Sequence, residues 1–186
     1  VTGAADTPIL RQYREAKAGH PDGILLFRLG DFFEIFFEDA VVAAPVMGVT
    51  LTSRPMGKNN RSPMCGVPAH AWPTYVGKLL RAGFKVVLCD QVEAAHESKG
   101  IVRREVTRVL TPGTVLEEDY LEAGTSNYLV SWVARGGQAG LAACDLSAGE
   151  LLLCQLPESD LPNELRRLNP VEVLTPPAID DRRFDL

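Results

Sequence analysis

The stretch "FRLGDFFEIFFEDA", residues 27–40, sets five of the chain's seven phenylalanines among four acidic side chains. No single face of a helix or strand can bury Phe27, Phe32, Phe33, Phe36 and Phe37 together. Upstream, "GILLFRLG" reads as a buried strand ending at Gly30, where a glycine allows a tight turn that Asp31 helps to shape. Downstream, "FEDAVVAAPVMG" reads as a helix that Pro45 should end or kink. Phe27 then belongs to the core, while Phe33, Phe36 and Phe37 pack the helix. From the residues alone, Phe32 is either one more core ring or an exposed one.

The elements around this stretch alternate in type. "DTPILRQYREAKAGH" is a helix, capped by Asp6 or Thr7, with Pro8 in its first turn and Ile9, Leu10, Tyr13 and Ala16 on one face. "VTLTSR" alternates as a strand, "PMGKNNRSP" is a polar loop and "MCGVPAHA" a short extended piece. "WPTYVGKLLRAG" is a helix striped by Tyr75, Val76, Leu79 and Leu80, and "FKVVLCDQV" and "EVTRVLTPGT" are strands either side of a polar loop. These make a first α/β (α+β) domain over 1–114. Residues 115–126 are acidic and turn-rich, as a linker would be. Over 127–186, "NYLVSWVAR", "QAGLAACDLSAG" and "ELLLCQL" are hairpin-linked strands, followed by the helix "ESDLPNELRRL" and the strand "VEVLTP". That is the opening of a second α/β domain, so the chain reads as the front piece of something longer.

Composition narrows the class. With 186 residues, 46% hydrophobic and 23% charged, the chain is ordinary globular material. It has no apolar run long enough to span a membrane and no visible secretory signal, although its first residue, Val1, is not Met. Cys65, Cys89, Cys144 and Cys154 are scattered through apolar segments and form no C-x-x-C pair, which suits reduced, buried thiols of a cytoplasmic protein. His20, His70 and His96 are too dispersed for a zinc site. The net charge of −5 averages two unlike parts. Residues 1–114 carry 14 basic and 11 acidic side chains, or +3; residues 115–186 carry 5 and 13, or −8. Within 47–108 the balance is 10 against 4, or +6. A basic region in an acidic protein fits a polyanion contact, though charge alone favours a solvated face.

No Walker A loop, dinucleotide fingerprint or nucleophile elbow is present. Asp145, with Glu150 and Glu172 as candidate company, raises the alternative of a metal-dependent nuclease. One carboxylate at a strand end is more simply structural.

The order of several short segments is more specific. "LLFRLGDFFEIFFEDA", "LTSR", "PMCGVPAHA", "YVGKLLRAGFKVVLCDQVE" and "KGIVRREVTRVLTPGT" resemble, in sequence, the N-terminal segments of MutS-type DNA mismatch-repair proteins, over most of residues 7–114. Residues 127–186 resemble, more weakly, the start of that family's connector domain. The resemblance implies a mixed-sheet mismatch-binding domain followed by part of a ribonuclease H-like domain.

It also implies roles. Phe32 would enter the minor groove and stack on a mispaired or unpaired base, and Glu34 would hydrogen-bond that base. The family more often has Tyr where this chain has Phe33, so any contact using that hydroxyl is lost. Arg54, Arg104 and Arg108 would meet the DNA backbone, with Lys58, Arg61, Lys99 and Arg103 as further candidates. Met64 and Pro68, in "MCGVP", would lie near the minor groove. Glu34 can accept from a base N–H, or donate if burial against DNA charge raises its pKa. These two domains would perform no chemistry and hold no cofactor. The full family protein is a dimeric ATPase that uses ATP and Mg²⁺ and recruits a MutL-type partner. The alternatives are a ribonuclease H-like nuclease using Asp145, and a MutS-like binder of junctions or loops, against which Phe32 and Glu34 together argue.

Overall fold

The computed structural model describes residues 7–55, 61–93 and 101–175. They divide into two units, the first ending at Leu110 and the second beginning at Thr111. Among the described residues no helix is long and apolar enough to cross a membrane.

The first unit is keyed to a hairpin. Strand β1 (Ile24–Leu29) and strand β2 (Phe32–Phe36) pair antiparallel, Leu29 opposite Phe32 and Phe27 opposite Glu34. Only Gly30 and Asp31 lie between them, and the positive φ falls on Gly30 alone (+60°), as a tight two-residue turn requires. Around the hairpin stand α1 (Pro8–Gly19), α2 (Phe37–Met47), β3 (Thr52–Pro55), β4 (Arg61–Pro68), α3 (Trp72–Arg81), β5 (Val86–Gln91) and β6 (Arg104–Leu110). The sheet order is β3-β4-β2-β1-β5-β6. Pairing is antiparallel except between β1 and β5, so the sheet is mixed, as the sequence suggests.

Strand β2 is the element that sequence patterning misses, because it is packed on both faces. Phe36 turns towards α1, where Tyr13 meets Phe27 and Phe36 edge to face at 5.5 and 5.1 Å. Phe33 and Ile35 turn the other way. Phe33 meets Trp72 of α3 at 6.4 Å, and the Sγ of Cys65, which pairs with Ile35, approaches the Ala40 carbonyl of α2. Alternation between apolar and polar is therefore erased, and the run reads as rings without a face. The carboxylates have separate work. Asp39, in the first turn of α2, accepts from the Leu25 backbone N–H at 3.0 Å and from Lys17 Nζ at 2.9 Å, tying α2 to both β1 and α1.

Three details differ from expectation. Helix α2 runs through Pro45 to Met47. Pro45 and Val41, whose carbonyl the missing N–H would have met, are both on the solvent side, where water serves that carbonyl. Phe37 opens α2 at a φ of +57°, in a region that costs a bulky residue on the order of 1–3 kcal/mol. The expected loop 55–63 is partly strand: β4 begins at Arg61, opposite Pro55, while 56–60 lie outside the described residues.

In the second unit β7 (Tyr128–Arg135), β8 (Gln138–Asp145) and β9 (Glu150–Pro157) form an antiparallel meander. Gly136 and Gly137 make its first turn with φ of +62° and +77°, the pattern of a type I′ hairpin. Helix α4 (Leu161–Leu168) buries Leu161, Leu165 and Leu168 against Val130, Trp132 and Leu141, and β10 (Glu172–Leu174) returns parallel to β7. Gly113 N donates to Glu172 Oε2 at 2.9 Å and Asn127 Nδ2 to the Pro112 carbonyl at 2.9 Å, so residues expected to end the first domain pack with the second unit. The expected linker buries Val115 and Tyr120 and contains a turn of 3-10 helix, Glu118–Tyr120.

The thiols split. Burial pushes those of Cys65 and Cys89 up to about 11, which makes them poor nucleophiles, whereas Cys154 is exposed and Cys144 half-buried.

Asp145 is 3% exposed and closes the β8–β9 turn. Its Oδ1 accepts from Ser147 N, Ser147 Oγ and Ala148 N, at 3.0, 2.6 and 3.0 Å, and its Oδ2 from Asn127 N at 2.8 Å. These bonds, led by the Ser147 hydroxyl, hold its pKa below the ordinary carboxylate value. Such a group stabilises the fold fully above its unfolded pKa, about 3.9, and loses that contribution as pH falls through the lower folded value. Asp145→Asn is expected to cost about 2 kcal/mol at pH 7, as for a bond to a charged group. The gap from wild type, read from urea midpoints, should narrow in acid.

Candidate nucleic-acid interface

Phe32 and Phe33 are neighbours with opposite fates. Phe33 is 1% exposed; Phe32, one residue earlier on the pleat, is 49% exposed. Phe32 is the first residue of β2, flanked by Leu29 on β1 and Pro68 on β4. Ala69 N donates to the Asp31 carbonyl at 2.8 Å and fastens the end of β4 to the hairpin turn. The ring consequently borders an open concavity of about 440 Å³, shared with Arg28, Asp31, Pro68, Ala69 and His70. Because Phe33 points inward at Trp72, a hydroxyl on its ring would also point inward.

Glu34 lies two residues along β2, on the same face as Phe32. Opposite it on β4 is Gly66, which adds no side chain to that face; a Cβ there would stand 3.7 Å from Glu34 Cγ. The Glu34 carboxylate is held by one bond, from Arg54 Nη1 to Oε2, reaching across β4 from β3. The two side chains are 18% and 43% exposed.

The other expected contacts separate. Met64 is half-buried and packs on the Tyr13–Phe27 cluster, so it supports the face from beneath. Arg104 is built into the scaffold. Its Nε donates to the Arg28 carbonyl at 2.6 Å and its Nη1 to Val102 O at 2.8 Å and Gln12 Oε1 at 3.3 Å, while the guanidinium covers the Phe27 ring at 5.3 Å. Desolvation lowers its pKa, though a guanidinium stays charged in water near neutrality. Arg108 is exposed and stands over Trp72 at 5.8 Å, on the α3 side of the sheet, opposite Glu34. Arg61 is bonded to Ser53 and Arg103 to Glu93 and Glu105. Lys58 and Lys99 lie outside the described residues.

One face thus gathers Phe32, Glu34, Arg54 and Pro68. Sequence reasoning overlooked Arg28, which borders the concavity, lies over Phe33 at 5.4 Å and pairs with Asp90 at 3.8 Å. A lone charge inside the apolar strand "ILLFRL" was the available signal. Asp145, Glu150 and Glu172 do not converge. Glu150 accepts from the Tyr128 hydroxyl at 2.7 Å and Glu172 from Gly113, and no group of three His, Cys, Asp or Glu among the described residues is placed to hold a metal.

Comparison with known proteins returns one family twice. The family model for MutS domain I matches residues 7–119, and that for MutS domain II matches 127–185. The DNA mismatch repair protein MutS of Myxococcus xanthus is 50% identical over 176 residues, covering 93% of this chain and 19% of that protein. Its counterpart in Anaeromyxobacter dehalogenans is 48% identical over 182 residues, 97% of this chain and 20% of that protein. The one in Methanothrix thermoacetophila is 44% identical over 174 residues, 93% and 20%. The chain therefore spans about a fifth of the length of these relatives.

Arg104→Ala should act as a stability variant. Losing its bonds to buried carbonyls and its cover over Phe27 is expected to cost about 2–3 kcal/mol in urea unfolding, with no selective effect on any ligand of the Phe32 face.

Proposed function

The chain belongs to the MutS family, and we propose that its first unit reads mismatched or unpaired bases in duplex DNA, with Phe32 as a minor-groove wedge and Glu34 as hydrogen-bonding partner of the same base. The observation that carries this reading is the exposure of Phe32, while Phe27, Phe33 and Phe36, its companions in the same run, are all buried. A ring held on a strand that is packed from both sides loses little conformational freedom when it inserts.

The energetics suit a reader of defects. Wedging a ring between base steps costs a few kcal/mol per step. Stacking on a base returns about 1–3 kcal/mol, whatever the base. In sound duplex the two nearly cancel. At a mismatch the stack is already weakened and the helix bends more cheaply, so the balance turns favourable. Glu34 adds a bond that only an exposed base edge can satisfy.

In the longer protein, ATP and Mg²⁺ binding, self-association and recruitment of a MutL-type partner are assigned to parts other than these two units, which carry out recognition on DNA and no catalysis. The rival, a Mg²⁺-dependent nuclease built on Asp145, is disfavoured because both oxygens of that carboxylate are taken up in the β8–β9 turn. A preference for junctions or loops would leave the pairing of Phe32 with Glu34 without a purpose.

Phe32→Ala, in a full-length context and at stated salt, is expected to weaken binding to mismatched duplex about 10- to 100-fold, the worth of the lost stacking. Affinity for paired duplex and thermal stability should barely change. Fluorescence anisotropy with matched and mismatched oligonucleotides measures this, and equal loss on both duplexes would refute the wedge.

A further inference from the structure

Arg54 differs from the other arginines around Phe32. Arg28, Arg61 and Arg104 each donate to a backbone carbonyl, and Arg104 is also sandwiched against a ring. Among the described residues the Arg54 guanidinium bonds Glu34 alone, through one nitrogen and one carboxylate oxygen. The pair is single-stranded rather than bidentate, and Arg54 is 43% exposed. Exposed pairs of that kind are weak and readily traded for another partner. The base-reading carboxylate and the least restrained guanidinium of the face are therefore joined by a bond that is cheap to open.

We propose that Glu34 and Arg54 form an exchangeable latch that sets specificity: on paired DNA Glu34 keeps the Arg54 charge from the phosphates, and at a lesion a base N–H takes the carboxylate and releases Arg54 to a backbone phosphate. The inference rests on the reading of Phe32 and Glu34 given above and assigns Arg54 a positioning role within it. In paired duplex no base edge is offered to Glu34, so the latch stays shut and the face contributes no net charge from these two residues. At a lesion one weak intramolecular bond is replaced by two intermolecular ones. A single exchange thus couples recognition of the base to grip on the backbone, and the grip is withheld from sound helix.

Phosphate contacts have a signature: each one steepens the fall of log affinity with log salt by about 0.9. Binding to paired and mismatched duplexes is measured across a salt series for the wild type, Glu34→Ala, Arg54→Ala and the double variant, in a full-length context. Glu34→Gln repeats the first change with the side-chain shape kept, and thermal melting checks that each variant folds. On paired DNA, Glu34→Ala and Glu34→Gln should each tighten binding about threefold or more at low salt and steepen the slope by about one. Adding Arg54→Ala should reverse both effects. In the wild type the slope should be steeper on mismatched than on paired DNA by about one, a difference that Arg54→Ala removes. If the double variant keeps the tightening, Glu34 acts by direct repulsion and the latch is overturned. Unchanged paired-DNA binding in both Glu34 variants overturns it equally. Either result leaves the wedge standing, since that depends on Phe32→Ala.

Discussion

Tyr13 touches three of the five rings in the run that follows it. It meets Phe27 and Phe36 edge to face and Phe37 at 5.8 Å, and its hydroxyl donates to the Phe36 carbonyl at 3.3 Å. Burial, with Asp39 nearby, pushes the phenol pKa upward, so the hydroxyl remains a donor across any physiological pH. This contact clamps α1 onto the far end of β2, while α2 and α3 close the opposite face through Ile35 and Phe33. Phe32 is then the near end of a strand that has nowhere to move. The exposure of one ring is a result of how firmly its neighbours are buried.

Much of this was legible in the residues. The caps and stripe of α1, the stripe of α3, the buried strands β1 and β5, and the three-strand meander of the second unit follow from periodicity and turn chemistry. The strand β2 did not, because a segment buried on both faces has no polar phase to betray its period. Pro45 misled because a proline near a helix end, on the wet side, leaves only a carbonyl that water can serve. The boundary near residue 114 misled because Gly113 and Pro112 look like linker residues, and only the bonds to Glu172 and Asn127 reveal where they belong. The site divides the same way. Order and identity of motifs pointed to Phe32 and Glu34, but nothing in the sequence distinguishes an arginine that holds up the scaffold, such as Arg104, from one at liberty, such as Arg54.

That distinction matters for any polyanion-binding surface. The basic excess of residues 47–108 looks like a uniform attraction, yet several of its guanidiniums are committed to carbonyls, rings or carboxylates within the first unit. Net charge overstates the grip such a surface exerts on a regular duplex, which suits a protein that must travel along sound DNA without being held by it.

The turn at Gly30 and Asp31 carries a further implication. Alternation along a strand has a period of two, so the length of that turn decides which of two chemically identical neighbours looks outward. Losing or gaining one residue there would bury Phe32 and present Phe33 without altering composition, hydrophobicity or charge in any telling way. Insertions and deletions at this hairpin are therefore far more dangerous than substitutions around it, and loop length, usually the most forgiving property of a domain, is here under the tightest constraint.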